Sequence, residues 1–294
     1  MAAMRRIAVS VQADAARIAL LDGDVLREYA LWNPEQPDGV GDIYTGRVSA
    51  KLSAMAGSFV ELGEMAGFLP DSAGAAKLSE GDYICVQVTR APQGGKGPRL
   101  AVTTEAPGDK PGLLRRGPGP LLELAARFPN LPIFIDDYAL MATLRPTLEG
   151  RMTHQAKCFD AVLEDEIAGL AEMTAELGRG TKMHIAATAA LTAIDIDAGS
   201  ASAASGAKPQ AQLALNERLV PEIVRQIVLR NLSGGILIDF AGMKPKARLK
   251  LTDPLTTALK TDPLKGRFLG FSNLGFAEIL RPRIRPPLHE MLNQ

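Results

Sequence analysis

The sequence contains few of the residues that usually carry metal, redox or histidine-based chemistry. Only two of its 294 residues are cysteine and only three are histidine. Cys85 and Cys158 lie far apart, so we expect neither a disulfide framework nor a Cys-x-x-Cys metal or redox pair. His154, His184 and His289 are isolated and are interpreted as structural or surface residues. The G-x-x-x-x-G-K-[S/T] phosphate loop and the H-E-x-x-H zinc motif are also missing, which excludes those two classes.

Long hydrophobic runs are missing as well. No stretch approaches the ~18 consecutive apolar residues that a membrane helix needs, and the apolar run after Arg5 and Arg6 is too short for one. Charged residues make up 22% of the chain and hydrophobic residues 46%, which excludes global disorder and a fibrous repeat. We therefore expect a cytoplasmic, globular protein with no membrane span.

Net charge is zero, but the charges are unevenly distributed along the chain. Residues 241–294 hold ten Lys and Arg residues against four Asp and Glu residues, so acids are in excess elsewhere. This asymmetry favours a protein that holds a polyanion on a basic face. From charge alone, a solvated surface explains the pattern equally well.

The first 120 residues show mainly strand patterns. Residues 5–31 alternate apolar and polar side chains around a turn, which predicts a hairpin or meander. About five short strand patterns between residues 42 and 104 are typical of a small Greek-key barrel such as an OB-fold. The Pro- and Gly-rich run 107–120 is interpreted as a linker.

The remaining residues mix helix and strand patterns. Pro221 is expected in the first turn of its helix, where a missing N–H matters least. The predicted elements are a short helix at 121–128, a strand at 132–135, a helix at 137–144, a helix at about 155–177, two strands within 183–197, a flexible loop at 198–212, a helix at 216–232 and a strand at 236–240.

Two apolar strand patterns end in carboxylates. The run LTAIDID carries Asp195 and Asp197, and GGILIDF carries Asp239. An ionised Asp at the end of a buried strand must be paired, hydrogen-bonded or bound to a metal. Three oxygen donors converging at strand ends would suit Mg²⁺, whereas strand-end Asp residues that cap turns or helices are the plainer alternative.

The predicted barrel carries residues suited to nucleic acid. Phe59 and Phe68 fall on neighbouring strand patterns, and Lys96 lies in the glycine-rich loop GGKG. Ring faces could stack on bases while the lysine contacts the phosphate backbone. Burial of both phenylalanines in the barrel core is the alternative.

Six motifs occur in the order found in the ribonuclease E/G family of bacterial endoribonucleases, and the sequence resembles that family over most of its length. The motifs are DIYTGRV, SFVELGEMAGFLP, GGKG followed by LAVTT, ALTAIDI, GGILIDF and SNLGFAEILRPRIRP. The resemblance implies an α+β fold. A discontinuous RNase H-like segment would comprise residues 1–40 and 115–160. It would carry an inserted OB-fold barrel (41–104) and be followed by an α/β nuclease domain (161–294).

The resemblance also implies a Mg²⁺-dependent endoribonuclease that cleaves single-stranded RNA during processing or decay and leaves 5′-phosphates. Because contacts by stacking favour bases that unstack easily, we expect A/U-rich substrates. Asp195 and Asp239 match the family's metal-holding carboxylates, and Asp197 takes a position that is usually Asn. The implied RNA contacts are Phe59, Phe68 and Lys96 from the barrel and Lys265 at a position that is normally Arg. The charge of the basic tract adds Lys244 and Lys246 as expected phosphate contacts.

Several family features are missing. The Arg-Thr pair of the family's 5′-monophosphate sensor occurs nowhere, and the cysteine pair that links subunits through zinc is absent. A zinc-linked tetramer is therefore not expected, and a homodimer stays open. Leu62, Ala66 and Ala189 replace family residues near the RNA-binding and catalytic strands. These losses keep a second reading open, a non-catalytic RNA-binding paralogue, and a DNA-directed nuclease or unrelated α+β hydrolase is a third.

Overall fold

The computed structural model describes residues 4–199 and 209–292, which form three β-sheets with helices packed on two of them. No helix in these ranges is long and apolar enough to cross a membrane. The strands are β1 Arg5–Gln12, β2 Ala15–Asp22, β3 Val25–Trp32, β4 Ile43–Leu52, β5 Gly57–Glu61, β6 Ala66–Pro70, β7 Tyr83–Arg90, β8 Arg99–Val102, β9 Gly112–Arg115, β10 Ile133–Ile135, β11 Met152–His154, β12 Thr174–Gly178, β13 Thr181–Ala187, β14 Leu191–Asp197, β15 Gly234–Asp239, β16 Arg267–Phe271 and β17 Ala277–Arg281. The helices are α1 Gly119–Arg127, α2 Tyr138–Leu148, α3 Ala161–Gly169, α4 Pro209–Leu229, α5 Pro245–Arg248, α6 Thr252–Leu259 and α7 Leu288–Leu292.

The first sheet has the strand order β11-β10-β1-β2-β3. Strands β1 to β3 form the predicted antiparallel meander, while β10 runs parallel to β1 and β11 runs parallel to β10. Alternation along β1 buries Ile7 and Val9 against α1 and α2, whereas Ala8 faces the opposite core with residues of α3. Both faces of this sheet are therefore covered by helices.

The second sheet closes on itself. Strands β5, β6, β8, β7 and β4 follow one another, and β4 also pairs with β5, which makes a five-stranded barrel consistent with an OB-fold. All five strands coincide with the strand patterns read from the sequence. The predicted linker 107–120 is wrong in part, because β9 lies within it and pairs with β4. This short segment pairs with an otherwise unpaired edge of β4, although the composition of the segment is typical of loops.

The third sheet has the order β12-β13-β14-β15-β17-β16. Strands β14 and β15 are parallel, and the other neighbours are antiparallel. One face packs against α4 and α6 through Ile194, Ile196, Ile236 and Ile238 of the two central strands. The opposite face carries no helix among the described residues and is exposed.

The predicted helix at 155–177 is wrong in its extent. Helix α3 begins at Ala161 because the side chain of Asp160 accepts a hydrogen bond from the backbone N–H of Leu163. The helix ends at Gly169. Residues 174–178 form β12, the edge strand of the third sheet, and Ala175 of this strand is buried in the core of that sheet. Pairing with β13 therefore outweighs the helical pattern of that stretch.

Helix α4 begins at Pro209, seven residues before the predicted start. Residues 209–212 of the predicted loop 198–212 are thus helical. Residues 200–208 of that loop lie outside the described ranges. Pro221 consequently sits in the middle of the helix and not in its first turn. The longer helix is supported by Asn216, whose buried side-chain amide donates to the carbonyls of Gln212 and Ala241.

Candidate active site

Asp195 and Asp239 are brought together by strand register. They are direct partners at the ends of the parallel strands β14 and β15. Neighbouring strands lie ~4.8 Å apart, and partners in parallel strands point to the same face. Residues on either side, such as Ile194 and Ile238, are buried against α4, so both carboxylates project from the exposed face.

Asp239 has a fixed cationic partner. Its Oδ1 forms an ion pair with Nη1 of Arg248 at 2.8 Å, and the Arg248 side chain is only 12% exposed. The same guanidinium donates to the carbonyls of Gly275 at 2.6 Å and Met243 at 3.0 Å. Arg248 thus ties together three segments around Asp239 and orients its carboxylate. No sequence signal separated Arg248 from the other cations of the basic tract.

Asp195 lies between Asp239 and a histidine. Its partner on β13 is His184, which is exposed on the same face, and His184 pairs in turn with Thr174 on β12. Nδ1 of His184 lies 3.2 Å from Oγ1 of Thr174. Within the described residues, the Asp195 side chain makes no ion pair or hydrogen bond. His184 looks isolated in the sequence, because its cross-strand neighbours depend on the strand register.

Asp197 lies two residues beyond Asp195 on the same face, ~6.6 Å further along the strand. Its Oδ1 accepts a hydrogen bond from the backbone N–H of Gly199 at 2.8 Å. Among the described residues, no group of three or more His, Cys, Asp or Glu side chains is arranged to hold a metal ion. The centre of the site is therefore a pair of carboxylates, with Asp197 at its margin.

The two barrel phenylalanines form an aromatic pair that is partly exposed at the barrel surface. Phe59 on β5 and Phe68 on β6 are register partners whose ring centroids lie 6.0 Å apart at 73°. Phe59 is 40% exposed and Phe68 is half-buried, and neither belongs to the barrel core. Burial of both rings in that core, the alternative considered from sequence, is wrong.

The lysines singled out from sequence all lie at the surface. Lys96 is exposed in a tight turn closed by backbone hydrogen bonds with Gln93. Lys244 and Lys246 are exposed at α5, a few residues after Asp239, whereas Lys265 is exposed in the turn before β16. Lys244 and Lys246 therefore follow the strand that carries Asp239, whereas Lys96 lies on the barrel.

These features define a class of protein: an α+β chain that joins a closed five-stranded barrel, consistent with an OB-fold, to a mixed sheet with paired carboxylates on its open face. The model of the Ribonuclease E/G family matches residues 137–284, which are half of the chain and include all six strands of the third sheet. The chain belongs to the ribonuclease E/G family.

Individual relatives match at low identity. Ribonuclease E of Synechocystis is 33% identical over 120 residues, which cover 40% of this chain and 18% of that protein. Ribonuclease G of Escherichia coli K12 is 24% identical over 398 aligned positions, which cover 97% of this chain and 81% of the relative. A chloroplastic ribonuclease E/G-like protein of Arabidopsis thaliana is 29% identical over 134 residues, covering 45% of this chain and 13% of that protein. The Escherichia coli alignment is longer than the present chain, so that relative carries additional residues within the matched span.

Proposed function

We propose that this protein is an endoribonuclease that hydrolyses single-stranded RNA at Asp195 and Asp239 with the help of Mg²⁺. Family membership supports an endoribonuclease role in RNA processing. The observation that carries the site assignment is the register pairing of the two carboxylates on the open face of the third sheet. In the reaction, the oxygen of a water molecule bonds to phosphorus and the bond to the 3′ oxygen breaks, which leaves a 5′-phosphate and a 3′-hydroxyl.

The donor set suits a hard divalent cation. Mg²⁺ is usually held by one or two carboxylates and completes its coordination with water and substrate phosphate. Asp195 has no protein partner among the described residues, and the ion pair with Arg248 engages only Oδ1 of Asp239. When bound there, the ion would polarise the scissile phosphate and activate water for attack.

The surrounding side chains have separate roles in this proposal. Arg248 holds the Asp239 carboxylate in one orientation, because its guanidinium is itself anchored by two backbone carbonyls. Asp197 would orient the ion or the attacking water from the end of β14. Exposed Lys244 and Lys246 follow the active strand closely and would contact phosphates beside the scissile bond.

The barrel would bind the single-stranded RNA. Stacking on the partly exposed Phe59 and Phe68 pair is possible only for unpaired bases, and Lys96 would contact the backbone. The affinity of such contacts depends more on how easily the bases unstack than on which bases they are. A/U-rich single strands are therefore favoured. Binding is expected to weaken steeply with salt.

We also propose an RNase H-like unit from residues 1–40 and 115–170, a barrel at 41–104 and a nuclease domain that follows. The RNase H-like assignment is supported by the first sheet, in which an antiparallel meander is extended by two strands parallel to β1. Helix α3 packs on this first sheet, which favours a boundary after Leu170 over the expected one at 161. The two free, buried cysteines are compatible with the reducing cytoplasm.

A non-catalytic RNA-binding paralogue is the second candidate. It is favoured by the Asp239–Arg248 ion pair, because a carboxylate already paired with a cation has less need of a metal. The unpaired Asp195 favours the enzyme, since a binder of polyanions gains nothing from an exposed acid directed at phosphate.

Cleavage of an unstructured, end-labelled RNA in the presence of Mg²⁺ separates the two candidates. We expect wild-type protein to give 5′-phosphorylated products and both Asp195→Asn and Asp239→Asn to abolish them. Glu217→Gln, which removes an exposed acid from the outer side of α4, is the matched control and should cleave normally. Unchanged cleavage by both Asp variants would reject the site, and equal cleavage of the corresponding DNA would reject RNA as the specific substrate.

A further inference from the structure

A basic cleft of about 590 Å³ lies between the barrel and the third sheet. Six cations line it, one of them Arg281, and no acidic residue does so among the described residues. We call this feature the arginine cleft, and its other five cations are Arg90, Arg99, Lys265, Arg267 and Arg283.

The five cations lack protein counter-charges. Within the described ranges none of them forms an ion pair; Arg99 only lies over the ring of Phe68 at 5.9 Å, and Arg283 only donates to the carbonyl of Ala190 at 3.2 Å. Arg281 also borders the cleft but is neutralised by Asp262. Burial, followed by the positive charges of Arg283 and Arg99, lowers the pKa of Arg90. Like charges crowded in this way are stabilised by an anion from outside the chain.

The cleft is held together by backbone contacts. Arg90 ends β7 of the barrel, and the N–H of the next residue, Ala91, donates to the carbonyl of Ile284 at 2.8 Å. The side chain of Arg283 crosses Gly234 so closely that any Cβ there would collide with the guanidinium. These contacts hold the end of β7 next to the third sheet and place the side chain of Arg283 against Gly234, so cations from the two sheets line one space.

The cleft is continuous with both parts of the proposed site. Gly235, Leu280 and Arg267 are partners in one row across the third sheet. Gly235 and Asp239 lie on the same face of β15, four residues or ~13 Å apart. On the barrel side, Arg99 is the register partner of Phe68. The cleft therefore lies between the aromatic pair and the carboxylates.

We propose that the arginine cleft binds backbone phosphates of the RNA strand between its contact with Phe59 and Phe68 and the scissile bond at Asp195 and Asp239. Five unpaired cations in an open cleft suit several successive phosphates better than one small anion. This assignment relies on the proposed function only for the identity of the anion and not for turnover.

The test is equilibrium binding of a fluorescent single-stranded RNA in EDTA, followed by anisotropy over a range of salt concentrations. Each phosphate contact on a single strand contributes ~0.7 to the slope of log K against log salt. We expect Arg90→Gln/Arg283→Gln to lower the slope by about 1.4 and to weaken binding about twentyfold at 0.1 M salt. The control Arg145→Gln/Lys157→Gln removes two exposed, unpaired cations elsewhere and should change neither quantity. An unchanged slope in the cleft variant would overturn the proposal.

Further variants and RNAs show whether a change in binding comes from the cleft and from backbone phosphates. Arg99→Gln/Arg267→Gln changes two exposed side chains, so it provides the same test if the first variant fails to fold. RNAs with a 5′-hydroxyl and with a 5′-monophosphate should lose the same affinity, whereas a loss confined to the monophosphate would overturn binding of backbone phosphates. Asp195→Asn/Asp239→Asn should abolish cleavage but keep RNA binding in EDTA, at least as tight as that of the wild-type protein because two charges that repel phosphate are removed. A defect in cleavage can therefore be separated from a defect in RNA binding at the arginine cleft.

Discussion

Asp195 and Asp239 occupy the same register position on two adjacent parallel strands, and their carboxylates face solvent side by side. Each strand buries isoleucines on its other face against α4, so a slip of one residue would turn both acids into the core. The hydrophobic pattern of β14 and β15 therefore fixes the position of the proposed catalytic pair.

Arg248 should act as a positioning residue for Asp239. Arg248→Gln removes the ion pair and frees the carboxylate to rotate, so we expect a 10- to 100-fold loss of cleavage at fixed Mg²⁺, the range typical of residues that orient metal ligands. The concentration of Mg²⁺ that gives half-maximal cleavage should change as well, and Arg248→Lys should restore part of the activity. Full activity of the Gln variant with unchanged Mg²⁺ dependence would contradict this role.

Asp197 tests the effect of an extra negative charge beside the site. Asp197→Asn keeps an oxygen that can accept from the N–H of Gly199, and it removes repulsion toward the RNA phosphate. We expect its KM for RNA to fall while the fold stays intact, whereas Asp197→Ala should lose the turn contact and lower kcat. Steady-state kinetics on the same oligonucleotide measures both. A rise in KM for the Asn variant would show that the charge helps to bind the ion.

Phe59 should contribute to RNA binding and little to stability. Its ring is 40% exposed and lies outside the barrel core, so Phe59→Ala should leave the free energy of unfolding nearly unchanged. Loss of one stacked base should weaken RNA binding by about 1–3 kcal/mol. Tyr138→Ala, which removes an exposed aromatic ring from the first sheet region, is the matched control and should bind RNA normally. Equal affinities of the two variants would remove Phe59 from the interface.

Asp262 should be essential for stability. It is fully buried and receives Nε and Nη2 of Arg281, whose side chain is 2% exposed. Asp262→Asn leaves that guanidinium buried without its charge partner, which should cost about 3–5 kcal/mol in urea unfolding. The exposed pair Arg115–Glu105 provides a control, because Glu105→Gln should cost less than about 1 kcal/mol. Similar losses in both variants would contradict the assignment of the buried pair.

The sequence predicted the parts of the structure that depend on local pattern. The barrel strands, the meander and the strands that carry Asp195 and Asp239 follow from period-two alternation and turn residues. The convergence of the two acids could be expected, because both end buried strands. Helix α4 was predicted too short because its first residues lie in an Ala- and Gln-rich stretch that also suits a loop.

The interactions that could not be predicted depend on register and on distant chain segments. His184 becomes a neighbour of Asp195 only through the pairing of β13 with β14. Arg248 reaches Asp239 only because the loop after β15 folds back, and the arginine cleft joins cations more than a hundred residues apart. Each of these features requires tertiary packing, which residue spacing does not encode.

The most direct test of the carboxylate pair is a crystal of the wild-type protein soaked with Mn²⁺ and measured for anomalous scattering. One peak within about 2.0–2.3 Å of an oxygen of Asp195 and an oxygen of Asp239 is the predicted result, and the peak should disappear in Asp195→Asn. Density at neither carboxylate in an ordered crystal, with Asp239 still paired to Arg248, would contradict a metal-dependent nuclease at this position.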